Sequence, residues 1–169
     1  PGAKFTHIVR DGRAVVASVR SLDWGVHSAR TIIGRWALQV GYGLAAESYL
    51  TPERALRVRY EDLVTDPTAA LGRIGAFASL AFEPAMLSGS GFAVPAYTRK
   101  QHSLVGAPPN ARRIDAWAEA LTPRDIETCE YVSGDMLTYL GYTTMFGHRA
   151  RLEPASTRYR AHLADLLWY

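Results

Sequence analysis

The sequence is poor in cysteine, lysine and asparagine, and it has no long apolar run. Its single cysteine, Cys129, cannot close an internal disulfide, so the chain is not a cross-linked secreted miniprotein. His7, His27, His102, His148 and His162 show no ligand spacing, and one cysteine does not support a structural zinc site, so no metal is expected. The only asparagine, Asn110, precedes Ala-Arg, which leaves no N-glycosylation sequon. The longest charge-free stretch, Pro84–Thr98, is broken by Gly, Ser and Pro and falls short of the roughly 20 apolar residues that span a bilayer. No membrane span is expected. A Gly-x-Ser-x-Gly elbow is absent, which argues against an α/β-hydrolase.

What remains is ordinary for a globular domain. The 169 residues are 48% hydrophobic and 21% charged, enough to build one core. The net charge is +3, and of the 19 basic residues all but Lys4 and Lys100 are Arg. Arg presents a planar fork of donors suited to phosphate and carboxylate. The basic excess lies toward the amino-terminal end and is compatible with an anionic small molecule or nucleic acid. Without a motif, and with no block of five like charges, it argues for neither; a solvated Arg-rich surface is the commoner reading, and no nucleic-acid partner is expected. The Arg- and Ala-rich composition points to a GC-rich bacterial source, and the lack of secretory features points to the cytoplasm.

Lys4–Val9 predicts a buried strand that stops at Arg10-Asp11-Gly12. Asp11 suits the N-cap of a helix over Arg13–Leu22. A longer helix is predicted over Ser28–Tyr49, with Ile32, Trp36, Val40 and Leu44 on one face. Ala55–Tyr60 alternates apolar and basic side chains, as a second strand would. Asp66-Pro67 opens a helix whose apolar face is Leu71, Ile74, Phe77 and Ala78. Ser88–Asn110, rich in Gly and Pro, reads as a long irregular loop. Helices are expected over Ala111–Ala120 and Thr122–Leu140, the second closed at Gly141, and an amphipathic piece ends at Tyr169. This order predicts an α/β sandwich around a parallel sheet. Two strands are few for such a sheet, so its remaining strands are expected upstream of Pro1.

The strongest local signal is strand–Arg10-Asp11-Gly12-Arg13–helix. A helix start at the carboxyl end of a parallel strand offers free N–H groups and a positive dipole end to an anion. Arg10 adds a forked cation, and Ser18 stands two helical turns further on. The same residues also suit a plain structural turn with an Arg10–Asp11 ion pair and Ser18 as a packing residue. His7 alternates with its strand neighbours and reads as a sheet side chain. Glu61 and Asp62, adjacent in sequence, point apart on a strand and read as a cap or salt bridge.

Pro1-Gly-Ala-Lys-Phe-Thr-His-Ile-Val-Arg10 through Ser18 resembles the 3′-phosphate-binding segment of sulfotransferases that use 3′-phosphoadenosine 5′-phosphosulfate (PAPS). Val58-Arg-Tyr60-Glu-Asp-Leu63 with Asp66-Pro67, Leu71, Ile74 and Phe77 is similar to a second family segment. Arg112-Arg113 with Trp117, Leu121-Thr-Pro and Gly141-Tyr142 is similar to the closing one. The order and spacing resemble tyrosylprotein sulfotransferases and their bacterial relatives, over residues 1–147, with 148–169 as a carboxy-terminal tail.

The resemblance implies a P-loop-like three-layer α/β/α fold, PAPS as co-substrate and no metal. It implies Arg10 and Ser18 on the 3′-phosphate, Tyr60 beside the adenine, and Ser103 and Arg113 as further contacts to the phosphate. The family's 5′-phosphosulfate loop and catalytic base precede the segment that starts at Pro1. The chain therefore resembles the carboxy-terminal part of the enzyme, and is expected to be completed by an amino-terminal half, to be completed by another chain such as a second copy, or to be a degenerate relative. The acceptor would be a hydroxyl of a small molecule, glycan or peptide. Two other readings differ in class: a non-catalytic nucleotide- or anion-binding module of the same fold, and a nucleotide kinase-like phosphotransferase, which would need a Gly-Lys-Ser/Thr loop and Mg²⁺.

Overall fold

The computed structural model describes residues 2–22, 27–88, 95, 109–152, 154–156 and 159. They fall into two compact units, one built from residues 1–9 and 43–111, the other from 10–42 and 112–169.

In the first unit, β1 (Phe5–Val9) and β2 (Ala55–Arg59) pair in parallel, with Phe5 opposite Ala55 and Val9 opposite Arg59. Among the described residues these two strands make the whole sheet. Val9 and Val58 bury their side chains in it. His7 and Arg57 are register partners, so both reach Glu47, near the end of helix α2 (Ala29–Tyr49). Nδ1 of His7 lies 2.6 Å from Oε1 of Glu47, and Nε of Arg57 donates to Oε2 at 2.9 Å. This agrees with His7 as a sheet side chain. A Cβ at position 43 would collide with the His7 imidazole, which is why the helix passes here with Gly43.

Burial pushes the Glu47 carboxyl up, but hydrogen bonds from Arg57 and His7, and their charge, hold it below its ordinary value of 4.5. A carboxylate with a lowered folded-state pKa stabilises the fold fully above the unfolded value and loses that contribution as pH falls through the folded one. Urea-unfolding midpoints measured between about pH 6 and pH 3 should therefore fall less steeply in Glu47→Gln than in the wild type. Equal slopes would assign the acid sensitivity elsewhere.

The sheet hands over directly to helices. The strand expected to reach Tyr60 ends at Arg59, and Tyr60 opens α3 (Tyr60–Thr65). Glu61 and Asp62 sit in its first turn, where carboxylates complement the helix dipole. Asp66 then caps α4 (Pro67–Ala78) by accepting from the Ala69 N–H at 2.9 Å. The apolar face expected for α4 is not the buried one: Leu71, Ile74 and Phe77 are half-covered, Ala78 is exposed, and Ala70 and Gly75 are buried. The helix ends with Ser79 in the left-handed region and the Leu80 N–H folded back onto the Gly75 carbonyl at 2.8 Å. A Cβ on Gly75 would lie 3.0 Å from the Leu80 carbonyl oxygen, so the smallest residues take the closest approach.

In the second unit, α1 (Gly12–Arg20) follows the Arg10-Asp11 corner. A Cβ on Gly12 would lie 2.6 Å from Cδ1 of Ile33 and 2.9 Å from the Trp36 ring, so α1 starts pressed against α2. The Trp36 indole also donates to the Arg10 carbonyl at 3.1 Å. Ile32, Trp36 and Val40 are buried, as their spacing predicts. The helix expected over Ala111–Ala120 is instead a 3₁₀ turn at Ala111–Arg113 and a single turn, α5 (Trp117–Ala120). No side chain caps α5, and Ala116 occupies its cap position. The last helix, α6 (Pro123–Tyr139), begins with a capping box between Thr122 and Asp125. It is broken internally at Ser133, whose hydroxyl donates to the Cys129 carbonyl at 2.9 Å. Gly141, at φ +83°, closes it as expected.

Candidate functional site

Arg10, Ala14, Ala17, Ser18 and Ser21 recur at helical steps, so they form one flank of α1 and the corner before it. Opposite them stand Arg113, Ala116, Trp117 and Ala120, and the two walls enclose a cavity of about 190 Å³. Three of the five sequence-predicted residues, Arg10, Ser18 and Arg113, thus share one concavity. Ser18 is exposed rather than packed, which excludes its role as a packing residue. Arg113 makes no hydrogen bond or ion pair among the described residues. The hydroxyl of Ser21 donates to the Ser18 carbonyl at 2.7 Å.

Two arginines and two serines line this space, and among the described residues no Asp or Glu does. That donor set matches a doubly charged oxyanion, because charge-assisted hydrogen bonds to phosphate are the strong ones. Small alanine side chains on both walls keep the space open at atomic scale.

The Asp11 carboxylate already occupies the helix N-terminus and accepts from the Arg13 N–H at 2.8 Å. Arg10, Ser18 and Arg113 line a cavity along the flank of this helix. The Asp11 carboxylate is also forked onto the Arg13 guanidinium, at 2.7 and 3.1 Å.

Arg13 is the residue that sequence reasoning missed. It is 2% exposed, with Asp11 at 5% and Glu130 at 3%. Its Nη1 donates to Oε1 of Glu130 at 2.7 Å, and its guanidinium lies over the Trp117 ring at 4.0 Å. Glu130 also accepts the N–H groups of Met145, Phe146 and Gly147 at 2.8, 2.6 and 3.2 Å. Burial works against the Arg13 cation, but the hydrogen bonds and charges of Asp11 and Glu130 raise its pKa above the ordinary value. Nothing local marks the pair, since Arg13 and Glu130 stand 117 residues apart. Burial likewise pushes the neighbouring Cys129 thiol up to about 12, so it is no nucleophile at neutral pH.

Tyr60 lines a different cavity, of about 290 Å³, within the other unit. Its walls are apolar, from Leu63, Val64, Leu71, Met86 and Leu87. Ser103, like Lys100, lies outside the described residues. Among the described residues no group of three or more His, Cys, Asp or Glu could hold a metal ion, and no helix is long and apolar enough to cross a membrane.

Residues 1–84 match the family model described as the sulfotransferase family. Among solved structures, the chain is similar to the sulfotransferase domain from the curacin biosynthetic pathway, with a TM-score of 0.63 and 21% identity over 83% of this chain and 54% of that one. It is also similar to the sulfotransferase domain from the Synechococcus PCC 7002 olefin synthase, with a TM-score of 0.57 and 26% identity over 78% of this chain and 49% of that one. The chain therefore spans about half the length of these relatives. Its mixed helices and parallel sheet match their P-loop-like α/β fold.

Proposed function

We propose, from the likeness of residues 1–84 to the sulfotransferase family, that the chain holds the 3′-phosphoadenosine end of PAPS in a sulfuryl-transferring enzyme. The observation that carries this reading is the meeting of Arg10, Ser18 and Arg113 around one cavity that no Asp or Glu lines among the described residues. A ribose 3′-phosphate is a dianion of matching size and chemistry. Arg10 and Arg113 would pair with its oxygens, and Ser18 would donate a hydroxyl hydrogen bond. Tyr60 would contact the adenine, as the family resemblance implies.

PAPS supplies the activated sulfuryl group: an acceptor hydroxyl attacks sulfur, the sulfur–oxygen bond to the phosphate breaks, and 3′-phosphoadenosine 5′-phosphate leaves. This chain's contribution is to bind and orient. A cofactor anchored at its 3′-phosphate presents the sulfuryl group at a fixed place, and positioning of this kind accounts for much of the rate of a group transfer. The acceptor is a hydroxyl of a small molecule, glycan or peptide, and the enzyme works in the bacterial cytoplasm without a metal. The 5′-phosphosulfate loop and the base belong to an amino-terminal half or a second copy.

Calorimetry with 3′-phosphoadenosine 5′-phosphate and with AMP tests the reading directly. Arg10→Ala should raise the Kd for the first ligand by about tenfold or more, because a charge-assisted hydrogen bond is worth about 1.5–3 kcal/mol. Binding of AMP, which lacks the 3′-phosphate, should not change. An unaltered affinity for 3′-phosphoadenosine 5′-phosphate would remove Arg10 from the site. Nucleotide binding with no sulfate transfer by the completed protein would favour a non-catalytic binding module.

A further inference from the structure

We propose that Arg13 is a positioning residue for the oxyanion cavity, setting the distance between its two walls by holding Trp117. The proposal rests on the reading of that cavity as the 3′-phosphate site. One wall is α1, the other is the segment from Arg113 to Ala120. Arg13 belongs to the first wall and lies under Trp117 of the second, 4.0 Å from the ring centre.

A guanidinium can act as a spacer only if its plane is fixed, and here it is fixed on both edges. Nε and Nη2 bond to the two oxygens of Asp11, and Nη1 bonds to Glu130. Glu130 cannot swing away, because it is held by the N–H groups of Met145, Phe146 and Gly147. The Trp117 indole is itself buried, at 8% exposure. It therefore rests on a plate whose height is set by two carboxylates. Arg113 stands four residues before Trp117, so the plate also governs how far its guanidinium stands from Arg10 and Ser18.

Stability gives no reason for this arrangement. A buried ion pair is often no more stabilising than well-packed apolar side chains of the same volume. What the charged version adds is a defined geometry: a flat, doubly anchored surface under an aromatic ring. Lysine can supply the charge but neither the fork nor the plate.

The test uses the full chain, thermal melts and calorimetry with 3′-phosphoadenosine 5′-phosphate and AMP on the wild type, Arg13→Lys, Trp117→Leu and Arg10→Ala. Arg13→Lys keeps a cation for Asp11 and Glu130, so it should fold and melt near the wild type. Its affinity for 3′-phosphoadenosine 5′-phosphate should nevertheless fall about tenfold, the loss expected when a charge-assisted contact is moved out of reach. AMP affinity should stay constant. Trp117→Leu should show the same selective loss, and it decides the matter if Arg13→Lys does not fold.

A purely structural role would lower the melting temperature of these variants and leave the preference for the 3′-phosphate intact, which overturns the proposal. If Arg10→Ala weakens binding while Arg13→Lys and Trp117→Leu do not, only the positioning role fails. If Arg10→Ala is also silent, or the wild type does not bind 3′-phosphoadenosine 5′-phosphate, the cavity assignment fails and takes this proposal with it.

Discussion

Glu130→Ala should lower the unfolding free energy by about 3–5 kcal/mol, the range seen when one partner of a buried ion pair is removed. Several losses coincide at this position. The Arg13 guanidinium, 2% exposed, would keep Asp11 but lose its second carboxylate. The N–H groups of Met145, Phe146 and Gly147 would lose their acceptor. An unsatisfied buried donor costs about 1–3 kcal/mol, and entry of water into the space left would limit the sum. Urea denaturation measures the effect, with Glu130→Gln as the control that keeps shape and an acceptor oxygen. A loss below about 1 kcal/mol for Glu130→Ala would mean that the backbone of 145–147 finds water without difficulty and that the ion pair is dispensable.

The second large effect concerns binding. Removing both guanidinium groups from the cavity, in Arg10→Ala with Arg113→Ala, should raise the Kd for 3′-phosphoadenosine 5′-phosphate by at least about a hundredfold. Two charge-assisted hydrogen bonds at about 1.5–3 kcal/mol each give that magnitude. Both residues lie at the surface of the cavity rather than in the core, so the melting temperature should hold. The salt dependence of binding should flatten in the double variant, because ionic attraction to the phosphate is what salt screens. A double variant no weaker than Arg10→Ala alone would show that Arg113 faces the cavity without touching the ligand.

Local signals carried much of the fold. Asp11, Asp66-Pro67 and Thr122-Pro123 each marked a helix start that the structure confirms, because a capping side chain bonds to backbone only two or three residues away. The spacing of Ile32, Trp36 and Val40 marked the buried side of α2 for the same reason: one helix face is a local property. What failed depended on contacts across the chain. The face of α4 was misread because burial there follows the smallest residues, Ala70 and Gly75, rather than the largest. The segment before α6 looked helical by composition but has no cap to start it.

The site divides along the same line. Arg10 and Ser18 were legible as a strand-end cation and a hydroxyl at helical spacing, and the structure places both at one cavity. Arg113 entered through a family resemblance and stands with them. Arg13 was illegible, since an arginine beside an aspartate reads as a surface pair until a glutamate from the far end of the chain covers it. A sequence signal did exist in hindsight: Asp11-Gly12-Arg13 places an acid, a residue with no side chain and a base at the closest possible spacing. Gly12 allows that turn to be driven against Ile33 and Trp36, where an exposed pair would not be.

The grip of Glu130 on three successive amides bears on where the polypeptide can be cut. Residues 145–147 have little regular structure and would look like the start of a dispensable tail, yet their amides hold the carboxylate that pairs with Arg13. A recombinant version shortened to end before Met145 would keep every helix through α6 and still leave Glu130 in the interior with Arg13 but without its three backbone donors. Ending after Arg151, whose own amide bonds to Glu127 at 3.0 Å, keeps that acid supplied.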